Sequence, residues 1–300
     1  MFPKNKTFIA AEIGINHNGD MKLAKDMIKM AKESGADAVK FQNYKTEDFI
    51  LNKEIKYKYL SQGKLKEEYQ FDMFKRYELN FSQLQDLKSF SDELGIVFFS
   101  TPTGISGINE LLKLNVKFLK NGSDFIQNLP LIKEMGKTAL PCILSTGMST
   151  LSHIDEAVNA FESGGGKEMV ILHCVSQYPT PNNEVNLRKI NSLKLVFGYP
   201  VGFSDHTYGS TAALGAVALG ACFIEKHFTL SHDLPGPDHR FSSTPEEFLE
   251  LTTKIRLLED SLGESRIEPT NKEKLNAKSF QLSCVAKTNI ESGSKIKPSH

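Results

Sequence analysis

Two histidines stand just after two short apolar runs in the last third of the chain. His206 follows the run at residues 201–203, and His227 follows the run at residues 222–224. Residues 209–220 between them are rich in alanine and glycine and long enough for a crossover helix, which predicts two parallel strands. Imidazoles at the same end of neighbouring strands can share one divalent metal ion. Either histidine alone would more often be a hydrogen-bonded core residue, but their matched placement predicts a metal site.

Other polar side chains stand at the ends of the remaining apolar runs. They are Glu12, Lys40, Gln42, Thr101, Lys120, Ser123, Ser145, His173 and Ser204. A lysine that points into a buried site is costly unless an anion meets it, so the lysines and hydroxyls predict a cradle for a phosphorylated anion. Glu12 is placed to accept a proton or to bind a water molecule beside the metal. Each hydroxyl alone is more often a cap or turn residue, but the set predicts carbon–carbon bond formation between a phosphorylated donor and an aldehyde.

The elements that must position these residues form a regular series. Eight apolar runs predict strands at residues 8–13, 36–41, 96–99, 116–119, 141–144, 169–172, 201–203 and 222–224. After most of these runs, apolar residues recur at the spacing of a helix. One example is the segment after Asp20, which can cap that helix. Eight such units predict an α/β fold, a (β/α)8 TIM barrel, whose active site lies at the carboxyl ends of the strands. A doubly wound sheet is the alternative, but the first strand lacks the G-x-G-x-x-G fingerprint.

One segment interrupts this rhythm. Residues 46–79 are rich in lysine, glutamate and tyrosine and are too long for an ordinary barrel loop. Long insertions of this kind are usually functional. We therefore expect this segment to cover the mouth of the barrel.

Composition excludes several classes of partner. The 300 residues hold 36 basic and 36 acidic side chains, so nothing indicates a nucleic-acid surface or attraction to an anionic membrane. No run reaches the roughly 20 apolar residues of a membrane span, and the first residues lack the apolar core of a signal peptide. The four cysteines are scattered, which is typical of reduced thiols. We expect a cytoplasmic protein without nucleic-acid or membrane partners.

The pattern changes after residue 262. Residues 263–279 are polar and charged and predict a linker, while residues 281–286 predict a new strand. Residues 280–300 are expected to be the truncated start of a second small domain, because so few residues cannot bury a core alone. The predicted organisation is a barrel at 1–262, a linker at 263–279 and this segment at 280–300.

The sequence resembles the sialic acid synthases, the N-acetylneuraminate synthase-like enzymes that include legionaminate and pseudaminate synthases. The resemblance runs from about residue 8 to residue 263 and into the tail. Its signatures are Ala11-Glu12-Ile13-Gly14-Ile15-Asn16-His17-Asn18-Gly19, Val39-Lys40-Phe41-Gln42, Leu144-Ser145-Thr146-Gly147-Met148, Gly202-Phe203-Ser204-Asp205-His206-Thr207, Glu225-Lys226-His227-Phe228-Thr229 and Pro235-Gly236-Pro237-Asp238-His239. The resemblance implies a (β/α)8 barrel followed by a small antifreeze-like (SAF) domain.

The resemblance also implies a reaction. Carbon 3 of phosphoenolpyruvate attacks the aldehyde of an open-chain 2-acetamido sugar such as N-acetylmannosamine, water adds at carbon 2, and phosphate leaves by C–O cleavage. His206 and His227 match the ligands of a divalent metal, expected to be manganese, with magnesium or cobalt as alternatives. The positions that match phosphoenolpyruvate contacts are Lys40, Thr101, Lys120, Ser123, Ser145 and Ser204. Those that match positions around the sugar, the metal or its water are Glu12, Gln42, Tyr178 and Asp238.

One departure from the family pattern concerns the tail. The family's second domain begins with a Phe-Arg-Arg-Ser-like segment whose arginine reaches the sugar site of a partner subunit, whereas this chain reads Phe280-Gln281-Leu282-Ser283. A homodimer is expected when the second domain is complete. The sugar is alternatively a diacetamido-trideoxyhexose, the precursor of legionaminic or pseudaminic acid.

Two rival functions remain open from the sequence. A deoxyoctulosonate-phosphate-type synthase shares the donor but needs a second phosphate pocket, and Arg76, Arg188 and Arg240 are isolated from one another in the sequence. A non-catalytic barrel that serves as a binding module is favoured by the missing arginine. The intact metal and phosphate positions favour an enzyme instead.

Overall fold

A computed structural model describes residues 6–300, so most of the stretch considered for a signal peptide lies outside the described residues. Eight strands form one sheet. They are β1 (Phe8–Gly14), β2 (Ala38–Asn43), β3 (Val97–Pro102), β4 (Leu119–Asn121), β5 (Cys142–Ser145), β6 (Met169–Cys174), β7 (Val201–Asp205) and β8 (Phe223–His227). All neighbouring pairs in the order β3-β2-β1-β8-β7-β6-β5-β4 are parallel. The two end strands also lie in contact, so the sheet curls into a near-closed barrel and the predicted fold is confirmed.

A helix follows each strand. The helices are α1 (Met21–Glu33), α2 (Phe81–Glu93), α3 (Ile105–Lys113), α4 (Leu129–Lys137), α5 (Leu151–Ser163), α6 (Lys189–Phe197), α7 (Thr211–Ala218) and α8 (Pro245–Leu262). Capping residues in the local sequence determine where several of these helices begin. The Asp20 carboxylate accepts the backbone N–H groups of Lys22 and Leu23, as the predicted cap requires. Asn80 and Thr150 begin α2 and α5 with reciprocal capping boxes.

The barrel interior changes from apolar to polar along the strands. Its apolar end is the cluster of Ala10, Ala38, Phe99, Phe118, Ile143, Val170, Leu172 and Phe223. The rings of Phe99 and Phe118 lie 4.8 Å apart and pack across the junction of β3 and β4. Because strand side chains alternate between faces, the residue two positions further along points to the same interior. On β1 and β2 those residues are Glu12 and Lys40.

The strands deviate from the sequence prediction mainly at their carboxyl ends. Most run one or two residues further than predicted, because the polar residues at their ends still pair with neighbouring strands. Residues 116–119 were predicted as the fourth strand, but β4 spans Leu119–Asn121 and includes Lys120. Apolar content alone therefore misplaces a strand whose interior-facing residues are polar.

The insertion after β2 has its own secondary structure. It holds a short 3-10 turn at Thr46–Asp48, two antiparallel strands at Lys56–Ser61 and Lys64–Tyr69, and a helix at Gln70–Tyr77. We call the two strands and their turn, residues 56–69, the mouth hairpin. Its turn residues Gln62 and Gly63 both have positive φ, as a tight two-residue hairpin turn requires.

The chain divides into two compact units, of which the first ends at Leu262 and the second spans Gly263–His300. The second unit contains a helix at Asn271–Phe280, where the sequence predicted a linker. Thr270 and Glu273 form a capping box that starts this helix, a signal that the polar composition concealed. Within the described residues, 281–286 form no strand, so that prediction is wrong. The antifreeze-like assignment of 280–300 stays a prediction.

No helix among residues 6–300 combines the length and the apolar character that crossing a bilayer requires.

Candidate active site

A cavity of about 550 Å³ opens at the carboxyl ends of the strands. The residues singled out from the sequence that line it are Glu12, Lys40, Gln42, Thr101, Lys120, Ser123, Ser145, Tyr178, Ser204, His206, His227 and Asp238. The structure thus gathers every predicted site residue except His173 at one end of the barrel, although the role of each residue stays a prediction. The mouth hairpin also lines this cavity, as expected of a segment that covers the mouth.

His173 is the exception among the polar residues at strand ends. Its Nε2 atom lies 2.6 Å from the carbonyl oxygen of Val185, and its ring stacks on Phe203 outside the barrel. The reason is strand alternation, because His173 stands between Leu172 and Cys174, which face the interior. The expectation that His173 joins the other polar strand ends in the site is therefore wrong.

Two lysines lie buried at the floor of the cavity. Lys40 is 5% exposed and Lys120 is 2% exposed. The Lys40 ammonium lies 3.0 Å from Glu12 and 3.4 Å from Glu225, and it donates to the Thr101 hydroxyl at 3.3 Å. Lys120 lies 3.8 Å from Glu225. Two carboxylates therefore balance these lysines inside the protein, whereas the sequence predicted only an external anion as their partner.

Hydroxyl and amide groups complete this floor. Lys120 donates to the Ser145 hydroxyl at 2.6 Å, and Ser204 donates to Glu225 at 3.4 Å. Gln42 donates to Glu12 at 3.2 Å. Each partner holds a charged group in one position, which is what preorganised binding of an anion needs.

The pKa values of these groups follow from burial and from their neighbours. Burial raises the pKa of Glu12 to about 7, even though Lys40 opposes this shift. Burial also disfavours the charged forms of Glu225 and Lys40, but opposite charges outweigh it, so the pKa of Glu225 is lowered and that of Lys40 is raised. Burial lowers the pKa of Lys120. Because the pKa of Glu12 lies near neutral pH, this carboxyl can gain or lose a proton when an anion enters.

Sequence reasoning missed several residues of the cavity wall, and two of them touch predicted site residues. Glu225 and Cys174 both line the cavity. The alternation of side chains along a strand was the signal for both residues. Glu225 stands two residues before His227, and Cys174 stands two residues after Leu172, which faces the interior. The Cys174 thiol lies 3.9 Å from His206 Nδ1 and 3.6 Å from the Ser123 hydroxyl. Burial opposes ionisation of this thiol, but His206, Ser123 and Lys120 together outweigh burial and lower its pKa.

The two predicted metal-ligating histidines are neighbours. Their ring centroids lie 5.5 Å apart, and the Tyr178 ring lies 4.1 Å from His206. His206 Nδ1 lies 2.7 Å from the carbonyl oxygen of Val175, to which it can donate, and this leaves Nε2 as a ligand atom. His227 Nδ1 is buried without a hydrogen-bond partner among the described residues. Burial lowers the pKa of His227 well below its usual value, so the ring is neutral.

These features fit a divalent metal. A buried ring nitrogen without a partner is costly, and a metal ion would relieve that cost. Within residues 6–300 no group of three or more His, Cys, Asp or Glu side chains is arranged to hold a metal. The imidazoles of His206 and His227 are the groups of the protein that would hold the metal, which could then act as a Lewis acid.

The upper wall of the cavity differs from its floor. Its apolar and aromatic members are Ile15, Tyr44, Phe49, Tyr57, Tyr59, Leu60, Met73, Phe74 and Phe241. Asp238 lies among these residues, and burial raises the pKa of its carboxyl to about 6. Arg240 also lines the cavity and donates to the carbonyl oxygen of Tyr178, whereas Arg76 is held by Glu68 on the mouth hairpin. The described cavity therefore contains one arginine and no arginine cluster for a second phosphate.

The fold and the site together define a (β/α)8 barrel whose cavity combines buried lysines with a pair of histidines. The NeuB family matches residues 27–267, which is most of the chain. The chain therefore belongs to the NeuB family, the sialic acid synthases, and the resemblance in its motifs is confirmed.

Named relatives agree with this assignment. The N,N'-diacetyllegionaminic acid synthase of Campylobacter jejuni is 42% identical over 290 residues, which cover 96% of this chain and 87% of that protein. The N-acetylneuraminate-9-phosphate synthase of Mus musculus is 33% identical and is matched over 98% of this chain and 81% of its own length. The N-acetylneuraminic acid synthetase structure from Leptospira borgpetersenii, in complex with citrate, has a TM-score of 0.82 at 34% identity and covers 93% of this chain and 94% of that one. The chain is thus an enzyme of this type, a phosphoenolpyruvate-dependent transferase.

Proposed function

We propose that this enzyme carries out a metal-dependent condensation of phosphoenolpyruvate with a 2-acetamido aldose, N-acetylmannosamine or a related sugar, to give a nonulosonic acid and phosphate. The observation that carries the proposal is the buried cluster of Lys40, Lys120, Glu12 and Glu225 directly beside two histidines. Phosphoenolpyruvate brings a phosphate and a carboxylate, which suit the lysines and the surrounding hydroxyls. His206 and His227 line the same cavity, which supports a role for them at the aldehyde that carbon 3 attacks.

The residues of the floor would bind and orient the donor. Lys40, Lys120 and the hydroxyls of Thr101, Ser123, Ser145 and Ser204 would hold its phosphate and carboxylate. Carbon 3 then forms the new bond to the aldehyde carbon, water adds at carbon 2, and the C–O bond to phosphate breaks. Glu12, with a pKa of about 7, is suited to take the proton from the attacking water. A manganese ion on His206 and His227, or magnesium or cobalt in its place, would supply Lewis-acid polarisation of the aldehyde.

The upper wall would receive the acceptor sugar. Gln42, Tyr178 and Asp238 line the same cavity as the apolar and aromatic side chains, and their polar groups would contact the sugar. A diacetamido-trideoxyhexose is the second candidate acceptor, because its methyl groups match an apolar wall better than the hydroxyls of N-acetylmannosamine do. The name of the Campylobacter jejuni relative supports this candidate.

The test is a phosphate-release assay with phosphoenolpyruvate, manganese and a panel of acetamido sugars. We expect release only when the metal and an acetamido aldose are both present, with a nonulosonic acid formed in equal amount. A parallel mixture without the enzyme serves as the blank for non-enzymatic release. Release of phosphate without an acceptor, or full activity after chelation of the metal, would contradict the proposal.

Two further expectations also remain proposals. A homodimer would show as twice the chain mass in light scattering, and a cytoplasmic location would show in fractionation of the source cell.

A further inference from the structure

A buried ion pair lies on the outer face of the barrel, beside the two histidines. Asp205 on β7 and Lys226 on β8 are partners in the strand register, and the Lys226 ammonium lies 2.8 Å from the Asp205 carboxylate. Their side chains are 0% and 3% exposed. Each stands directly before a histidine of the site, so the pair connects the backbone of the His206 strand to that of the His227 strand.

The same pair also holds the residue that follows His206. The second carboxylate oxygen of Asp205 accepts the Thr207 backbone N–H at 2.9 Å and its hydroxyl at 2.8 Å. Lys226 donates to the Thr207 carbonyl oxygen at 2.7 Å. The backbone on both sides of His206 is therefore bound to the residue that precedes His227.

Stability alone does not account for this arrangement. The other outward-facing residues of β7 and β8, such as Phe203 and Ile224, belong to the apolar core between the strands and the helices. A buried ion pair is often no more stabilising than well-packed apolar residues of the same size, because desolvation offsets the attraction. What charged, directional bonds add over apolar packing is fixed geometry.

We propose that Asp205 and Lys226 are positioning residues, which fix the spacing of His206 and His227 and so set the affinity of the site for its metal. This inference rests on the proposed metal role of the two histidines. Neither residue lines the cavity, so both act through the histidines and not by touching the substrate.

The test is a titration of the full chain with Mn2+, in which electron paramagnetic resonance measures the free ion. In the double variant Asp205→Leu/Lys226→Met, apolar residues replace the pair without leaving a lone buried charge. We expect this variant to unfold cooperatively and to bind Mn2+ about 10- to 100-fold more weakly than the wild type. The single variant Asp205→Asn retains hydrogen-bonding groups, and we expect a smaller loss in the same direction.

A matched control exists elsewhere in the barrel unit. Arg256 on α8 forms a partly buried ion pair with Asp37, at 2.9 Å, just before β2 and thus at the opposite end of the strands. Arg256→Met should lower the melting temperature and leave the Mn2+ affinity unchanged. Wild-type Mn2+ affinity in the double variant, or an equal loss in Arg256→Met, would overturn the positioning role alone. A wild-type chain that binds no Mn2+ would overturn the metal role as well.

Discussion

At the scale of single residues, the main feature of the site is its buried charged side chains. Lys40 and Lys120 are recognisable from the sequence because they follow apolar runs, and the structure places both at the cavity floor. Glu225 was not predicted as a site residue, because it lies between the apolar start of β8 and His227 and was considered only as part of the motif around that histidine. Only the alternation of β8 shows that Glu225 faces the lysines.

This arrangement predicts the effect of removing either lysine. Lys40→Ala and Lys120→Ala should each raise the Michaelis constant for phosphoenolpyruvate about ten- to a hundredfold, because each loses a charge-assisted contact of roughly 1.5–3 kcal/mol. Steady-state kinetics with varied phosphoenolpyruvate measures this, and circular dichroism checks that the variants fold. Lys58→Ala is the matched control, since Lys58 lines the same cavity but its side chain is 64% exposed. A wild-type Michaelis constant in either buried variant would show that the lysine does not contact the donor.

The raised pKa of Glu12 predicts a pH dependence of stability. The pKa rises from 4.5 to about 7 on folding, so the folded state favours the protonated carboxyl. The contribution of this group is therefore fully present below pH 4.5 and is lost as pH rises through 7, by at most about 3 kcal/mol. As pH rises over this range, the free energy of unfolding should fall less in Glu12→Gln than in the wild type. Urea denaturation at several pH values measures this difference.

Asp238→Asn is the control for that measurement. Burial raises the pKa of Asp238 to about 6. The stabilising contribution of its protonated carboxyl should therefore be lost as pH rises through 6, about one pH unit below the value for Glu12. If both variants follow the wild-type pH profile of stability, neither carboxyl has the shifted pKa.

At the scale of elements, the order of strands and helices was predictable from periodicity and caps. The predicted cap of α1 at Asp20 agrees with the structure. Two features were not predictable in this way. β4 was misplaced because its polar interior residue hid the strand, and the mouth hairpin was expected only as a cover because its charged, exposed strands lack a regular apolar alternation.

The mouth hairpin predicts a separation between donor and acceptor binding. Tyr57 lines the upper cavity and stacks on Tyr59, with ring centroids 5.7 Å apart. Tyr57→Ala should therefore raise the Michaelis constant for the acceptor sugar several-fold and leave that for phosphoenolpyruvate unchanged, because the donor would bind at the floor. Tyr69→Ala, on the other strand of the hairpin and outside the cavity lining, should change neither constant. Equal effects of the two substitutions would mean that Tyr57 only stabilises the hairpin.

At the scale of the whole molecule, the cavity belongs to one unit of the chain. All of its lining residues lie between Glu12 and Phe241, within the unit that ends at Leu262. The helix Asn271–Phe280 has no buried residue. Its sequence therefore shows no apolar face from which the structure of the second unit could be predicted. The barrel was predictable because repetition, alternation and caps agree over most of its length.

This division predicts that the barrel unit binds the donor and the metal by itself. A chain cut after Leu262 keeps the barrel core and every residue of the cavity. We expect it to unfold cooperatively and to bind phosphoenolpyruvate and Mn2+ within about twofold of the 300-residue chain, since no ligand contact is removed. Calorimetric titration of both proteins measures the two affinities, and a product assay on the same samples reports whether turnover of the acceptor depends on residues 263–300. A cut chain that folds but binds phosphoenolpyruvate tenfold more weakly would show that the second unit takes part in the donor site, and the assignment of that site to the barrel alone would then be wrong.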